Sequence, residues 1–209
     1  MTNDGIKTLS FGSSQGNLQT LALGTSTSEA SFAINGNSAV NPATAASAAI
    51  LSLPDIQPVT AIGTGLIPTF YWDNGRPFLI QGWGICTTGT SANLTLKLYQ
   101  VPASVVAAGL AAGSVSGCNA VATSTARAVN STTGKFIFQA ELQWDSVSSK
   151  LHGQFTVEIN NLLDAWAAST AVTTATAADN ELNFTMSATL SSGNAANLVK
   201  LVEFSAIQL

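Results

Sequence analysis

Charge is what this sequence lacks most. Only 9% of its 209 residues are Asp, Glu, Lys or Arg, against roughly a quarter in an ordinary soluble domain. The seven Lys and Arg residues are scattered along a chain of net charge −4. A nucleic-acid groove needs clustered cations to neutralise phosphates, so that class of partner is excluded. The two cysteines, Cys86 and Cys118, form no CxxC pair and have no Cys/His cluster around them, which excludes a zinc site. A disulfide between them is allowed, but two buried free thiols in a reducing compartment is the preferred reading. No run of about 18 apolar residues occurs, so no membrane-spanning helix is expected. The opening residues, Met1 to Lys7, have neither a basic n-region nor an apolar h-region, and no secretory signal is expected.

Catalytic signatures are equally sparse. The one histidine, His152, falls on the polar face of a predicted strand, and no G-x-S-x-G elbow accompanies it. Glu141 and Glu158 share the outer face of a predicted hairpin, but its register keeps them more than one strand pair apart. A glycosidase holds its two carboxyls about 5 to 10 Å apart. The acidic clusters Asp73-Asn74 and Asp179-Asn180-Glu181 read first as turns rather than as calcium ligands. No Gly-rich phosphate loop stands between a strand and a helix. The sequence therefore points to no catalytic residue, no cofactor and no metal.

What is present is apolar alternation. Hydrophobic residues make up 46% of the chain, and from about Leu66 onward they recur with period two between turn residues, the pattern of half-buried strands. The spacing predicts strands over Leu66 to Trp72, Pro77 to Cys86, Asn93 to Val101 and, more weakly, Val121 to Ala128. Gly82 and Gly84 within the second mark a bulge or a close backbone approach. Lys135 to Trp144 and Leu151 to Ile159 form a hairpin, with Trp144 opposite Leu151 and Glu141 opposite Gln154. Leu182 to Leu190 and Asn197 to Leu209 complete about eight strands. The alternation of the last is poorer, as in a strand covered on both faces or lying at an interface. Leu162 to Ala168, with Trp166, reads as a short helical or looped crossover. Strands with one apolar face must pack sheet on sheet. The predicted fold is all-β: an antiparallel β-sandwich, jelly-roll-like, over residues 64–209.

Residues 1–63 read differently. They are rich in Ser, Thr, Ala, Asn and Gly, are interrupted by Pro42, Pro54 and Pro58, and carry only Asp4, Lys7, Glu29 and Asp55 as charges. They are predicted to form an extended N-terminal arm. Leu18 to Leu23 and Phe32 to Ile34 are candidate edge strands, and Ala43 to Leu53 is a candidate short helix. Among the aromatics, Tyr71, Trp72 and Trp83, with Tyr99, offer a stacking platform, since flat rings stack on the C–H faces of sugars, and Tyr71, Trp72 and Tyr99 are the candidate glycan or partner contacts. Trp83 and Trp144 read more simply as core.

The run Arg76-Pro77-Phe78-Leu79-Ile80-Gln81-Gly82-Trp83-Gly84, followed by Thr87-Thr88-Gly89-Thr90 and Leu94-Thr95-Leu96-Lys97-Leu98-Tyr99, resembles the strand–turn–strand text of jelly-roll virion proteins of tailed bacteriophages. Phe138 to Trp144 followed by Leu151 to Phe155 is similar to their next hairpin. The resemblance covers about residues 66 to 160. It implies a head-decoration (cement) protein that stabilises a capsid through arm exchange and subunit contacts. Its partners would be the major capsid protein and neighbouring copies of itself, with a homotrimer favoured and no nucleic acid or membrane involved. Its location would be the virion, assembled in the host cytoplasm. The alternative is a glycan-binding β-sandwich module of a phage tail or fibre.

Overall fold

The computed structural model of the chain describes residues 8–11, 19–22, 26–32, 51–53, 77–108, 110, 113–129, 134–145, 150–160, 162–171 and 182–208. Four short strands come first: β1 (Thr8–Phe11), β2 (Gln19–Ala22), β3 (Ala30–Ser31) and β4 (Leu51–Leu53). Next are β5 (Phe78–Thr87) and β6 (Ala92–Val101), a one-and-a-half-turn helix α1 (Ala103–Ala108), β7 (Asn119–Thr123) and β8 (Arg127–Val129). The chain continues through β9 (Gly134–Asp145), β10 (Lys150–Ile159), β11 (Leu162–Ala171), β12 (Leu182–Leu190) and β13 (Leu198–Gln208).

These strands build two antiparallel sheets packed as a jelly-roll β-sandwich. The larger, seven-stranded sheet runs β1-β13-β5-β9-β10-β11, with β2 pairing a second stretch of β13. The smaller, six-stranded sheet runs β3-β12-β6-β7, with β4 completing the edge of β12 and β8 that of β6. The chain changes sheet between β2 and β3, between β4 and β5, between β5 and β6, between β8 and β9, and on either side of β12. One apolar core fills the space between the sheets. Phe78, Phe136, Phe138, Phe155 and Phe204 come from the larger sheet, and Leu94, Leu96, Leu98, Phe184 and Met186 from the smaller. Burying each such side chain contributes about 1.5–3 kcal/mol. The Phe78 and Phe184 rings meet across the two sheets at 5.7 Å between centroids.

The β9–β10 hairpin has the register expected from its alternation, with Leu151 opposite Trp144, His152 opposite Gln143 and Gln154 opposite Glu141. β12 occupies the predicted span Leu182–Leu190. Val121 to Ala128 is two strands rather than one, broken at residues 124–126, where the Ser124 hydroxyl accepts from the Leu96 amide. Leu162 to Ala168 is not a crossover. It is most of β11, which pairs with β10 along its whole length. Its Ala-rich text has little strand preference of its own, and pairing against β10 decides its form. A two-residue connection joins them, with Asn160 in the left-handed region (φ 52°) that tight hairpins require.

Poor alternation in β13 has a local cause. The ladder with β5 shifts between Leu201 and Glu203, so Val202 is an extra residue, a β-bulge. Val199 and Leu201 face the core before it and Phe204 after it, an odd spacing that a strict period of two does not allow.

The described pieces of the first 63 residues are extended, and they lie on the edges of this sandwich. β1 and β2 pair with β13, and β3 and β4 pair with β12. Leu18 to Leu23 contains β2 as expected. β3 falls just before Phe32, whose amide donates to the Met186 carbonyl at 3.0 Å and whose ring is fully buried. Leu51–Leu53, expected to end a short helix, is strand β4, because β12 offers it an unpaired edge. The rest of that segment, together with the predicted strand Leu66 to Trp72, lies outside the described residues. Both cysteines are free thiols; burial pushes Cys86 up to about 12 and raises Cys118 as well.

Gly82 and Gly84 face the core from β5, and a methyl group on either would collide with a phenylalanine ring of β9 and a carbonyl of β13: Phe138 and Glu203 at position 82, Phe136 and Lys200 at 84. Replacing Gly84→Ala is expected to cost about 1–3 kcal/mol through overpacking, read as a lower denaturant midpoint at unchanged slope. Adding Phe136→Leu should recover part of that loss, making the pair less damaging than the sum of its members.

Candidate functional site

The outer face of the larger sheet carries the chemistry. With Phe78, Ile80, Gly82, Gly84 and Cys86 inside, the alternate β5 residues Leu79, Gln81, Trp83 and Ile85 face outward. Trp83, expected in the core, is the exposed large hydrophobic residue of the described chain, at 36%. The two glycines explain the difference: they occupy the inward positions, leaving the indole outside. On β9 the outward row is Lys135, Ile137, Gln139, Glu141 and Gln143, and on β10 it is His152, Gln154, Thr156 and Glu158.

The ladders place these residues side by side. Trp83 is opposite Ile137 on β9 and Glu203 on β13, and Gln81 is opposite Gln139. They surround a shallow hollow of about 270 Å³ lined by Gln81, Trp83, Lys135, Ile137, Gln139 and Glu203. The Lys135 ammonium lies 5.7 Å from the Trp83 ring centroid, a cation–π contact that orients the indole. A second hollow of about 310 Å³ lies further along β9, lined by Pro77, Glu141, Gln143, His152 and Gln154. Each hollow pairs an apolar surface with amide groups, and each amide side chain supplies two donors and an acceptor.

Glu141 and Glu158 are both on this face, but β9–β10 pairing sets them four register positions apart. At about 3.3 Å per residue that is roughly 13 Å along the strands, beyond the span across which two carboxyls act on one glycosidic bond. Among the described residues no group of three or more His, Cys, Asp or Glu side chains is placed to hold a metal ion. No helix among them is long and apolar enough to cross a membrane.

Of the predicted contact residues, Tyr71 and Trp72 lie outside the described residues, as do Asp73-Asn74 and Asp179-Asn180-Glu181. Tyr99 is on the outer face of the smaller sheet, 7% exposed. Its hydroxyl donates to Glu29 Oε1 at 2.7 Å, so its ring presents no open face to solvent. Glu29, just ahead of β3, is held by three side chains: Tyr99, the Ser187 hydroxyl, and the Lys97 ammonium at 2.8 Å from Oε2. Burial alone would raise the Glu29 carboxyl. The hydrogen bonds from Lys97, Ser187 and Tyr99, with the lysine charge, outweigh it and hold the group below the usual glutamate value. Burial, and then the bond to this carboxylate, push the Tyr99 hydroxyl up. Sequence reading passed over Glu29, although it is one of only four charges in the first 63 residues. That scarcity was the signal available.

No protein-family model matches the chain, and no curated protein does. Among solved structures it is similar to winged bean acidic lectin complexed with methyl-α-D-galactose, at 10% identity and TM-score 0.40 over 98% of both chains. It is similar to lectin I from Ulex europaeus in complex with the methyl glycoside of α-L-fucose, at 10% identity and TM-score 0.40 over 97% of this chain and 98% of that one. Peanut lectin with a nine-residue peptide is comparable, at 12% identity and TM-score 0.40 over 98% of both chains. The sandwich is established by the chain's own two sheets, independently of these likenesses.

The clamp on Glu29 makes a pH-dependent contribution. Because its folded-state pKa is lowered, the contribution is present above the unfolded-state value and is lost as pH falls through the folded one. Glu29→Gln is expected to cost about 1–3 kcal/mol at pH 7. The gap from the unsubstituted protein should close on acidification below the ordinary glutamate range, as measured by urea midpoints across pH. A gap that stayed constant with pH would assign the effect to packing alone.

Proposed function

We propose that this chain is a glycan-binding β-sandwich module whose binding surface is the outer face of the larger sheet around Trp83. The observation that carries the reading is an indole 36% exposed on a sheet face, with Gln81, Gln139, Glu203 and Lys135 around the same hollow. A sugar ring has an apolar C–H face and a rim of hydroxyls. The indole stacks on the first, and amide and carboxylate groups bond to the second. An apolar ligand would cover the Gln81 and Gln139 amides without replacing their bonds to water. Tyr71 and Trp72 remain candidate contacts within this reading.

A second reading, a bacteriophage virion protein that decorates and stabilises a capsid, is favoured by a different observation. β1 to β4 are strands of two to four residues laid on open sheet edges. Main-chain ladders of that kind can be donated by a neighbouring copy as readily as by the same chain. A surface poor in charge loses little side-chain entropy and little hydration on docking. The partners would be the major capsid protein and further copies in a trimer, and the location the virion.

Screening on a glycan array, followed by calorimetry with the best sugar, tests the first reading. Trp83→Ala should weaken binding at least tenfold, about 1.4 kcal/mol, with an unchanged unfolding midpoint. An array without a hit overturns it. For the second reading, native mass spectrometry should show trimers, and labelled and unlabelled copies should form mixed trimers on incubation. A monomer at every concentration counts against it.

A further inference from the structure

We infer that the two hollows on the outer face are subsites of one linear groove along β9, and that its ligand is an extended, uncharged oligosaccharide rather than a single terminal sugar. The inference rests on the glycan-binding reading and adds to it the length and charge of the ligand. It begins from the spacing of the hollows. The first is lined on β9 by Lys135, Ile137, Phe138 and Gln139, the second by Glu141, Leu142 and Gln143. Their centres are about five residues apart, roughly 16 Å along a strand. That separation suits several joined rings, not one.

Size points the same way. At about 270 and 310 Å³, each hollow is at the bottom of the range for a small-molecule site, which begins near 300 Å³. The β5–β9 and β9–β10 ladders run without a register shift, so no bulge interrupts the strand the two hollows share. The bulge at Val202 is on β13, beside rather than beneath this track.

Polar groups recur along the whole path. Gln81 and Gln139 face each other at one end, Glu141 and Gln154 in the middle, and Gln143 and His152 at the other end. A ligand lying along β9 from Gln139 to Gln143 therefore meets an amide at each pair. Charge selects against polyanions: among the described residues Lys135 is the one Lys or Arg lining either hollow, while Glu203 and Glu141 line them with negative charge. Like charges along a bound chain would be repelled.

The test is calorimetric titration of the full chain with linear gluco-, manno- and galacto-oligosaccharides of one to six units, beside a sulfated oligomer as the anionic probe. Affinity for the series that binds should rise at least tenfold between one and four units and then level off, and the sulfated probe should bind more weakly than its uncharged counterpart. His152→Ala and Gln154→Ala, both at exposed strand positions, should each reduce the gain on lengthening from one to four units. Their unfolding midpoints report whether the sandwich is intact. Equal affinity for one unit and for four overturns the linear groove and leaves a single-ring site at Trp83. No binding at any length overturns the glycan-binding reading together with the groove.

Discussion

The inner face of β5 has no side chain at positions 82 and 84, and the sandwich is arranged around that gap. The Phe138 and Phe136 rings of β9 occupy the space, so close that a single methyl at either glycine would collide with them. Phe138 in turn packs against Phe204 of β13 at 6.0 Å between centroids. Three neighbouring strands are thereby locked in register by aromatic volume set against its absence. The same parity turns Trp83 outward. One choice of two glycines both closes the core and places a flat ring on the surface.

Low charge has a structural counterpart in how the ends of the sandwich are tied. The connection after β5 and the one before β13 are joined by uncharged groups. The Asn197 side chain accepts from the Gly89 amide and donates to the Ser192 carbonyl, and the Ser191 hydroxyl accepts from the Asn93 amide. Such bonds contribute about 1 kcal/mol each and depend little on salt or pH. Against that neutral background the Glu29–Lys97 pair stands out. It ties a segment from the N-terminal quarter of the chain to the centre of the smaller sheet, beside Phe32 in the core. The described pieces of this N-terminal region are thus held by edge ladders, by the buried Phe32 ring and by the Glu29 carboxylate.

Much of the larger sheet was legible in the sequence because period-two alternation and register are the same information in a hairpin. Once Phe136, Phe138, Ala140 and Leu142 are set inward, a partner strand with Leu151, Phe155 and Val157 inward can pair in few ways. The face that carries the candidate site was legible in the same manner from Gln139, Glu141, His152 and Gln154. Trp83 was not, because an aromatic between two glycines reads as core until the glycines themselves are placed inward. β11 was missed because Ala165, Ala167 and Ala168 favour a helix when considered alone. The Asn160-Asn161 pair between two apolar residues was the hairpin signal that could have corrected this.

From its own text the chain determined a two-sheet antiparallel sandwich, the inward and outward rows of β6, β9, β10 and β12, and the absence of any clustered cation. These follow from local periodicity and composition, which act between near neighbours. Tertiary structure alone decided the order of strands within each sheet, the strand form of β11, and the edge pairing of β1 to β4. It alone decided the bulge at Val202 and the meeting of Glu29 with Lys97, Tyr99 and Ser187. Apart from β11, whose partner β10 is its hairpin neighbour, these features join residues far apart in sequence, and the local periodicity of a single segment does not set them.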